Sequence, residues 1–199
     1  DQGTVVRGGI WPSLNQTLVW ALAGTDPALA WDEWKKNSLA AHADSYPNTW
    51  YGIWSGADSY NAAFSKTPGA TGSPGFKGID FPVLNLHSHA CFLYSGTKLL
   101  GIEFAWHGLT LRPALPPGPF RFESKLVGFI HSSETHYEGW YAPRRPGGVH
   151  IYVPSEIAQR ITHATLNGTA VPVERGPDGV FMFNGTSTNP GHPLRWTLS

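Results

Sequence analysis

His87-Ser88-His89 stands at the head of an apolar-periodic run, and Trp54, Asp58 and Tyr60 stand close together in an aromatic stretch. The backbone N–H groups at a helix start point outward unpaired, so the His-Ser-His segment is the best anion site in the chain. Simple capping of that helix by one or both histidines would use the same residues. Trp54 and Tyr60 offer rings for stacking on the apolar face of a pyranose, and the Asp58 carboxylate can accept two hydroxyl hydrogen bonds. Asp58 could also act as the base of a hydrolase, with Asp80 as a second candidate, or could only close a turn after Gly56. Arg7 supplies a fixed positive charge suited to an anion.

Other chemistries find less support. The nine histidines are scattered, and His87 and His89 have no H-x-x-x-H or Cys-His spacing beside them, so no metal ligand set is expected. No G-x-S-x-G elbow is present. The single Cys91 excludes an internal disulfide framework and leaves the compartment open. Charged residues make up 14% and the net charge is zero, which argues against nucleic acid or an anionic membrane as partner. No apolar run reaches the roughly 18 residues of a membrane span. The sequons at Asn15, Asn167 and Asn184 carry little weight.

These residues need elements to hold them. The stretch from Gly8 to Tyr60 opens Gly8-Gly9-Ile10-Trp11-Pro12-Ser13 and closes in Trp50-Tyr51-Gly52-Ile53-Trp54, Gly56-Ala57-Asp58 and Tyr60; six of the nine tryptophans lie in the first 60 residues. Trp11 joins the candidate sugar-facing rings, although core packing accounts equally well for any single ring. Pro12 suits the first helical position, and Leu14, Leu18, Val19 and Leu22 predict a helix from Trp11 to Ala23 stopped at Gly24. Asp26 and Pro27 predict the cap of a second helix reaching about Asp44, with Leu29, Trp31, Trp34, Leu39 and Ala43 on its apolar side. Together they predict an αα-hairpin.

A long irregular segment from Ser45 to Asn85 follows, and its aromatic first half argues for function. A third helix is expected from about Leu86 to Leu100, with Phe92, Leu93, Leu99 and Leu100 buried and Gly101 as its stop. From Phe120 the pattern becomes short β-type runs: 120–122, 125–131, 136–141, 149–153, 161–166, 170–174, 180–183 and 194–198. Asn167-Gly168 and Pro177-Asp178-Gly179 are turn signals between them. Seven or eight strands at this spacing predict a β-sandwich. The fold class is therefore α+β, with residues 1–113 helical and 114–199 the sandwich. The helical part has more apolar face than three helices can cover, which predicts packing against further helices outside this sequence.

The passages Gly8-Gly9-Ile10-Trp11-Pro12, Ala30-Trp31-Asp32-Glu33-Trp34 with Asn37 to Ala43, Trp50 to Asn61, and Tyr94 to Pro116 with Leu99-Leu100-Gly101-Ile102-Glu103 and Leu109-Thr110-Leu111-Arg112-Pro113 carry a resemblance. In them the chain resembles the C-terminal portion of the cellobiose phosphorylase family and its relatives acting on 1,2-β-oligoglucans. The likeness covers the first 116 residues by motif and the rest by pattern. It implies the last helices of an (α/α)6 barrel followed by a C-terminal antiparallel β-sandwich, from a longer enzyme or a processed chain. It also implies a β-linked gluco-oligosaccharide as substrate, the N-terminal remainder of the enzyme as partner, inorganic phosphate as co-substrate and no other cofactor. A bacterial cytoplasm is the expected setting.

Inverting phosphorolysis needs a carboxylic acid to protonate the leaving oxygen and phosphate on the opposite face as nucleophile; a hydrolase replaces phosphate with water and a carboxylate base. In the family the general acid is an Asp carried earlier in the barrel, so this chain alone is expected to be inactive. The start of the last barrel helix, here His87-Ser88-His89, would contact phosphate, with Ser88 and His89 foremost. The family's phosphate-contacting His near Trp11 is replaced here by Ser13 or Asn15, which leaves Arg7 to supply charge. Trp11, Trp54, Asp58 and Tyr60 would contact sugar, whereas Glu33 and Glu103 read as solvated charges. A carbohydrate-binding or structural module without turnover is the rival reading.

Overall fold

A computed structural model describes residues 2–4, 7–38, 40–41, 44, 59–68, 89–106, 108–153, 155–175, 181–187, 189 and 191–199. The fold is mixed α+β and divides into two compact units, Asp1–Thr97 and Lys98–Ser199. No described helix is long and apolar enough to cross a membrane.

In the first unit, α1 spans Pro12–Leu22 and α2 spans Pro27–Lys36. Each begins with proline at its first position, where a missing N–H costs nothing. Asp26 caps α2 by accepting from the Leu29 N–H at 3.0 Å. The two helices pack as a hairpin over buried Val19, Ala30 and Trp31. α2 ends at Lys36 with Asn37 as its cap, and residues 40, 41 and 44, within the span expected to reach Asp44, are again helical after this break. The Asn37 side chain folds back to donate to the Glu33 carbonyl at 2.7 Å, and Ser38 Oγ then accepts from Ala41 N–H. Local polar side chains compete here with the helical ladder.

The third helix, α3, spans Cys91–Leu99 and follows a wider π-type turn at His89 and Ala90. It turns Ser95 and Gly96 inward, and Gly96 lets the Trp34 ring approach its backbone. Phe92 stacks on Trp34 with ring centroids 4.3 Å apart. This rotation corrects the expected face: Leu93, read from sequence as buried, is 68% exposed. Leu14 and Leu18 on α1 are exposed as well.

The second unit holds two sheets. One runs β1 (Ile102–Ala105), β2 (Gly108–Leu111), β6 (Gly147–Val153), β10 (Phe181–Ser187), β9 (Glu174–Arg175). The other runs β3 (Phe120–Glu123), β4 (Val127–Ser133), β5 (His136–Tyr141), β11 (Leu194–Leu198), β7 (Ala164–Leu166), β8 (Thr169–Ala170). Leu109, Leu111, Val149 and Ile151 from the first sheet share one core with Val127, Phe129, Tyr137, Trp196 and Leu198 from the second. That is a two-layer sandwich built by alternation: β5 reads half-buried, buried along its length.

Three features depart from the sequence expectation. The sandwich is not purely antiparallel, because β2 pairs parallel to β6. The chain leaves the first sheet after β2, builds β3, β4 and β5 in the other, and re-enters beside β2 in the same direction. Residues before 114 also contribute a hairpin, β1–β2, to this unit. A short helix, α4 (Ser155–Ala158), follows β6. The Asn167-Gly168 turn stands as expected, with φ of 50° and 81°, as a tight hairpin turn requires.

Tyr137 is fully buried and its hydroxyl has no hydrogen-bond partner among the described residues. Burial raises its pKa far above the usual tyrosine value. The unfolded chain then loses the phenolic proton at about pH 10 while the folded chain keeps it. The contribution of Tyr137 to stability is therefore level below that pH and falls above it, by about 1.4 kcal/mol per pH unit at most. Urea melts at pH 8 and pH 11 are expected to show this loss, and Tyr137→Phe should remove one proton's worth of it. An unchanged alkaline loss in the variant would place its origin elsewhere.

Candidate functional site

The ends of the aromatic stretch meet in the first unit. Ile10 and Tyr60 form an antiparallel bridge, with N–H to carbonyl distances of 2.8 and 3.0 Å. Ala62 N–H donates to Gly3 carbonyl, and Gly3 N–H donates to Arg7 carbonyl, both at 2.8 Å. Gly3 has φ of +79° and lies against Phe64 and Ser65, so it suits a conformation that other residues avoid.

This knot places three of the sequence-derived candidates. Trp11, the residue after the bridge, is the half-buried extended residue that starts α1. Tyr60 is buried within the bridge, and Arg7 is exposed on the turn before it. His89 stands on a different element, partly exposed in the turn before α3. Trp54, Asp58, Asp80, His87 and Ser88 lie outside the described residues.

Around the helices runs a seam of uncharged polar groups that sequence reading did not single out as a unit. Asn15 Nδ2 donates to Asn37 Oδ1 at 2.8 Å, joining α1 to the end of α2. Ser95 Oγ, on α3, donates to Gln16 Oε1, and Trp34 Nε1 donates to the Phe92 carbonyl at 3.1 Å. Asn61 donates to the Thr67 carbonyl and hydroxyl at 3.0 and 2.9 Å. Gln16, Asn37, Ser59, Asn61 and Ser95 are all buried. One signal was available: Gln16 precedes Val19 by three residues and so shares the buried side of α1.

Several carboxylates of this unit already have tasks. Asp26 caps α2, while Asp32 and Glu33 hold Lys36 at 2.7 and 3.0 Å and raise its pKa. In the second unit, exposed Glu103 pairs with Lys98 at 3.3 Å. Of the tryptophans, Trp31 and Trp34 pack edge to face with centroids 5.5 Å apart. In the described part of the first unit, buried amides and hydroxyls lie beside rings, and Asp26, Asp32 and Glu33 are engaged structurally. Among the described residues, no group of three or more His, Cys, Asp or Glu is placed to hold a metal ion.

No family model matches the chain, and no curated protein matches it. Among solved structures, a GH127 beta-L-arabinofuranosidase from Geobacillus stearothermophilus T6 is similar at 12% identity and a TM-score of 0.32, over 56% of this chain and 18% of that one. A second, described as a glycoside hydrolase, is 8% identical with a TM-score of 0.32, over 57% and 20%. The chain matches no more than a fifth of the length of either. A likeness this distant carries no functional assignment.

Proposed function

We propose that the chain is the C-terminal part of an inverting carbohydrate-active enzyme that cleaves β-glucosidic bonds in gluco-oligosaccharides by phosphorolysis. Its first unit supplies the substrate wall and the phosphate side of the pocket. The observation that carries this reading is the Ile10–Tyr60 bridge, which closes the aromatic stretch on itself and sets Trp11 one residue from Tyr60 across the knot. Trp11 and Tyr60, with Trp54 and Asp58, face sugar. His87, Ser88, His89 and Arg7 face phosphate, and the general acid comes from the N-terminal remainder of the enzyme.

Inverting hydrolysis at the same site, with Asp58 as base, is the second reading. Binding without turnover is the third, favoured by the engagement of Asp26, Asp32 and Glu33 in helix caps and ion pairs.

The test is an assay on cellobiose and on 1,2-β-oligoglucans with the chain joined to the N-terminal remainder. Phosphorolysis predicts glucose 1-phosphate only when inorganic phosphate is added, and a His89→Ala variant that needs several-fold more phosphate. Reducing sugar formed equally in phosphate-free buffer would establish hydrolysis. No product in either buffer, with sugar binding that Trp54→Ala abolishes, would leave a binding module.

A further inference from the structure

The outer face of the six-stranded sheet has a feature that the first unit's site does not use. On β5, Trp140 points away from the core, opposite the buried Tyr141. Its cross-strand neighbour on β4 is Gly128. A Cβ built on Gly128 would fall 2.1, 2.3 and 2.6 Å from Cζ2, Cη2 and Cε2 of the indole. The ring therefore lies across the glycine, and only glycine permits that approach.

The registers place charged residues around the ring. In one row, Glu123, Gly128, Trp140 and Arg195 are neighbours across β3, β4, β5 and β11. In the next, Arg121, Ile130, Glu138, Thr197 and Thr165 are neighbours across the same strands and β7. Arg121 Nε donates to Glu123 at 2.7 Å, and His136 lies 3.2 Å from Glu138. Arg121, Glu123 and Arg195 are exposed, and Trp140 is partly so.

From this geometry we infer a glycan-binding surface in the second unit, with Trp140 as its platform and a neutral chain of pyranose units as its ligand. The indole supplies an apolar plane that matches the C–H face of a pyranose. Two arginines and two glutamates surround it, so their charges cancel and select no ionic ligand. Their planar heads hydrogen-bond vicinal hydroxyls as donors and acceptors. Adjacent strands are about 4.8 Å apart, so Arg195 and Glu123 lie about one and two strand spacings from the ring, within reach of one or two sugar units. The surface is made by the second unit alone and does not depend on the function proposed for the first.

The test uses the full chain and cellohexaose. Adding the sugar to millimolar concentration is expected to shift the Trp140 indole N–H resonance. Trp140→Ala should weaken binding about tenfold, the loss of one ring platform, while Trp140→Tyr retains most of it. Arg195→Ala removes an exposed head group and Glu138→Gln replaces one acceptor oxygen of a partly exposed carboxylate with an amide NH2, both without touching the core, and each should weaken binding several-fold. Trp11→Ala should leave the Trp140 shift intact, so this surface and the first unit's site can fail separately. The inference is overturned by an unmoved Trp140 resonance, or by unchanged affinity in folded Arg195→Ala and Glu138→Gln chains. Self-association that Trp140→Ala abolishes and sugar does not affect would also overturn it, by making the face an interface between copies.

Discussion

Gly101→Ala is expected to destabilise the Lys98–Ser199 unit by roughly 3–5 kcal/mol, combining left-handed strain with overpacking. Gly101 has φ of +62°, and a Cβ there would lie 1.8 Å from the Arg112 carbonyl oxygen and 2.0 Å from its carbon. The contact is with backbone that cannot swing aside. Arg112 N–H donates to Gly101 carbonyl at 2.9 Å, and Ala114 N–H donates to Leu99 carbonyl at 2.8 Å, so the segment after α3 is laced to the end of β2. Relief of the clash must break that lacing. Gly118→Ala is the control, since Gly118 also has positive φ, +84°, but no atom of the described residues lies within 4 Å of its Cβ position. It should cost only about 1 kcal/mol. Urea unfolding followed by tryptophan fluorescence separates the two, and equal midpoints would refute the close approach.

Phe129→Ala is expected to cost about 3–5 kcal/mol, the usual loss for a buried aromatic truncated to alanine. Phe129 is fully buried, and its ring lies 5.8 Å from Phe120, 5.8 Å from Phe122 and 6.0 Å from Tyr137. The residue thus joins β3, β4 and β5 through one aromatic cluster. Phe129→Leu keeps much of the volume and should lose clearly less. If the two substitutions cost the same in chemical denaturation, ring packing is not what Phe129 contributes.

Both positions show how far the sequence could be read. Gly101 was recognisable as a helix stop, because a glycine after a periodic run is a local signal. Its closeness to Arg112 was not, since that depends on where a strand eleven residues later returns. Asp26, Pro27 and Pro12 announced the helix starts by their own chemistry, and Asn167-Gly168 announced its turn. The helix faces were less legible. Leu93 and Ser95 are two residues apart on α3, and hydrophobicity favours Leu93 as the buried one. The structure buries Ser95 instead, because Gln16 on α1 accepts its hydrogen bond and Trp34 needs the space at Gly96.

The candidate site divides in the same way. Trp11, Tyr60 and Arg7 are legible as residue types suited to sugar or phosphate, while the Ile10–Tyr60 bridge that joins their segments spans fifty residues and leaves no mark in either. The polar seam of Asn15, Gln16, Asn37 and Ser95 was hidden because each residue alone looks like an ordinary helix position. Trp140 and Gly128 were likewise unremarkable apart, and only strand register lays one on the other.

Element type, helix caps, tight turns and the α+β class followed from the chain itself, because each rests on interactions within a few residues. The parallel pairing of β2 with β6, the strand order of both sheets, the buried faces of α1 and α3 and the glycine-backed indole were decided by the tertiary structure. Those features depend on contacts between segments far apart in sequence, where closing the loop and satisfying buried polar groups outweigh local preference.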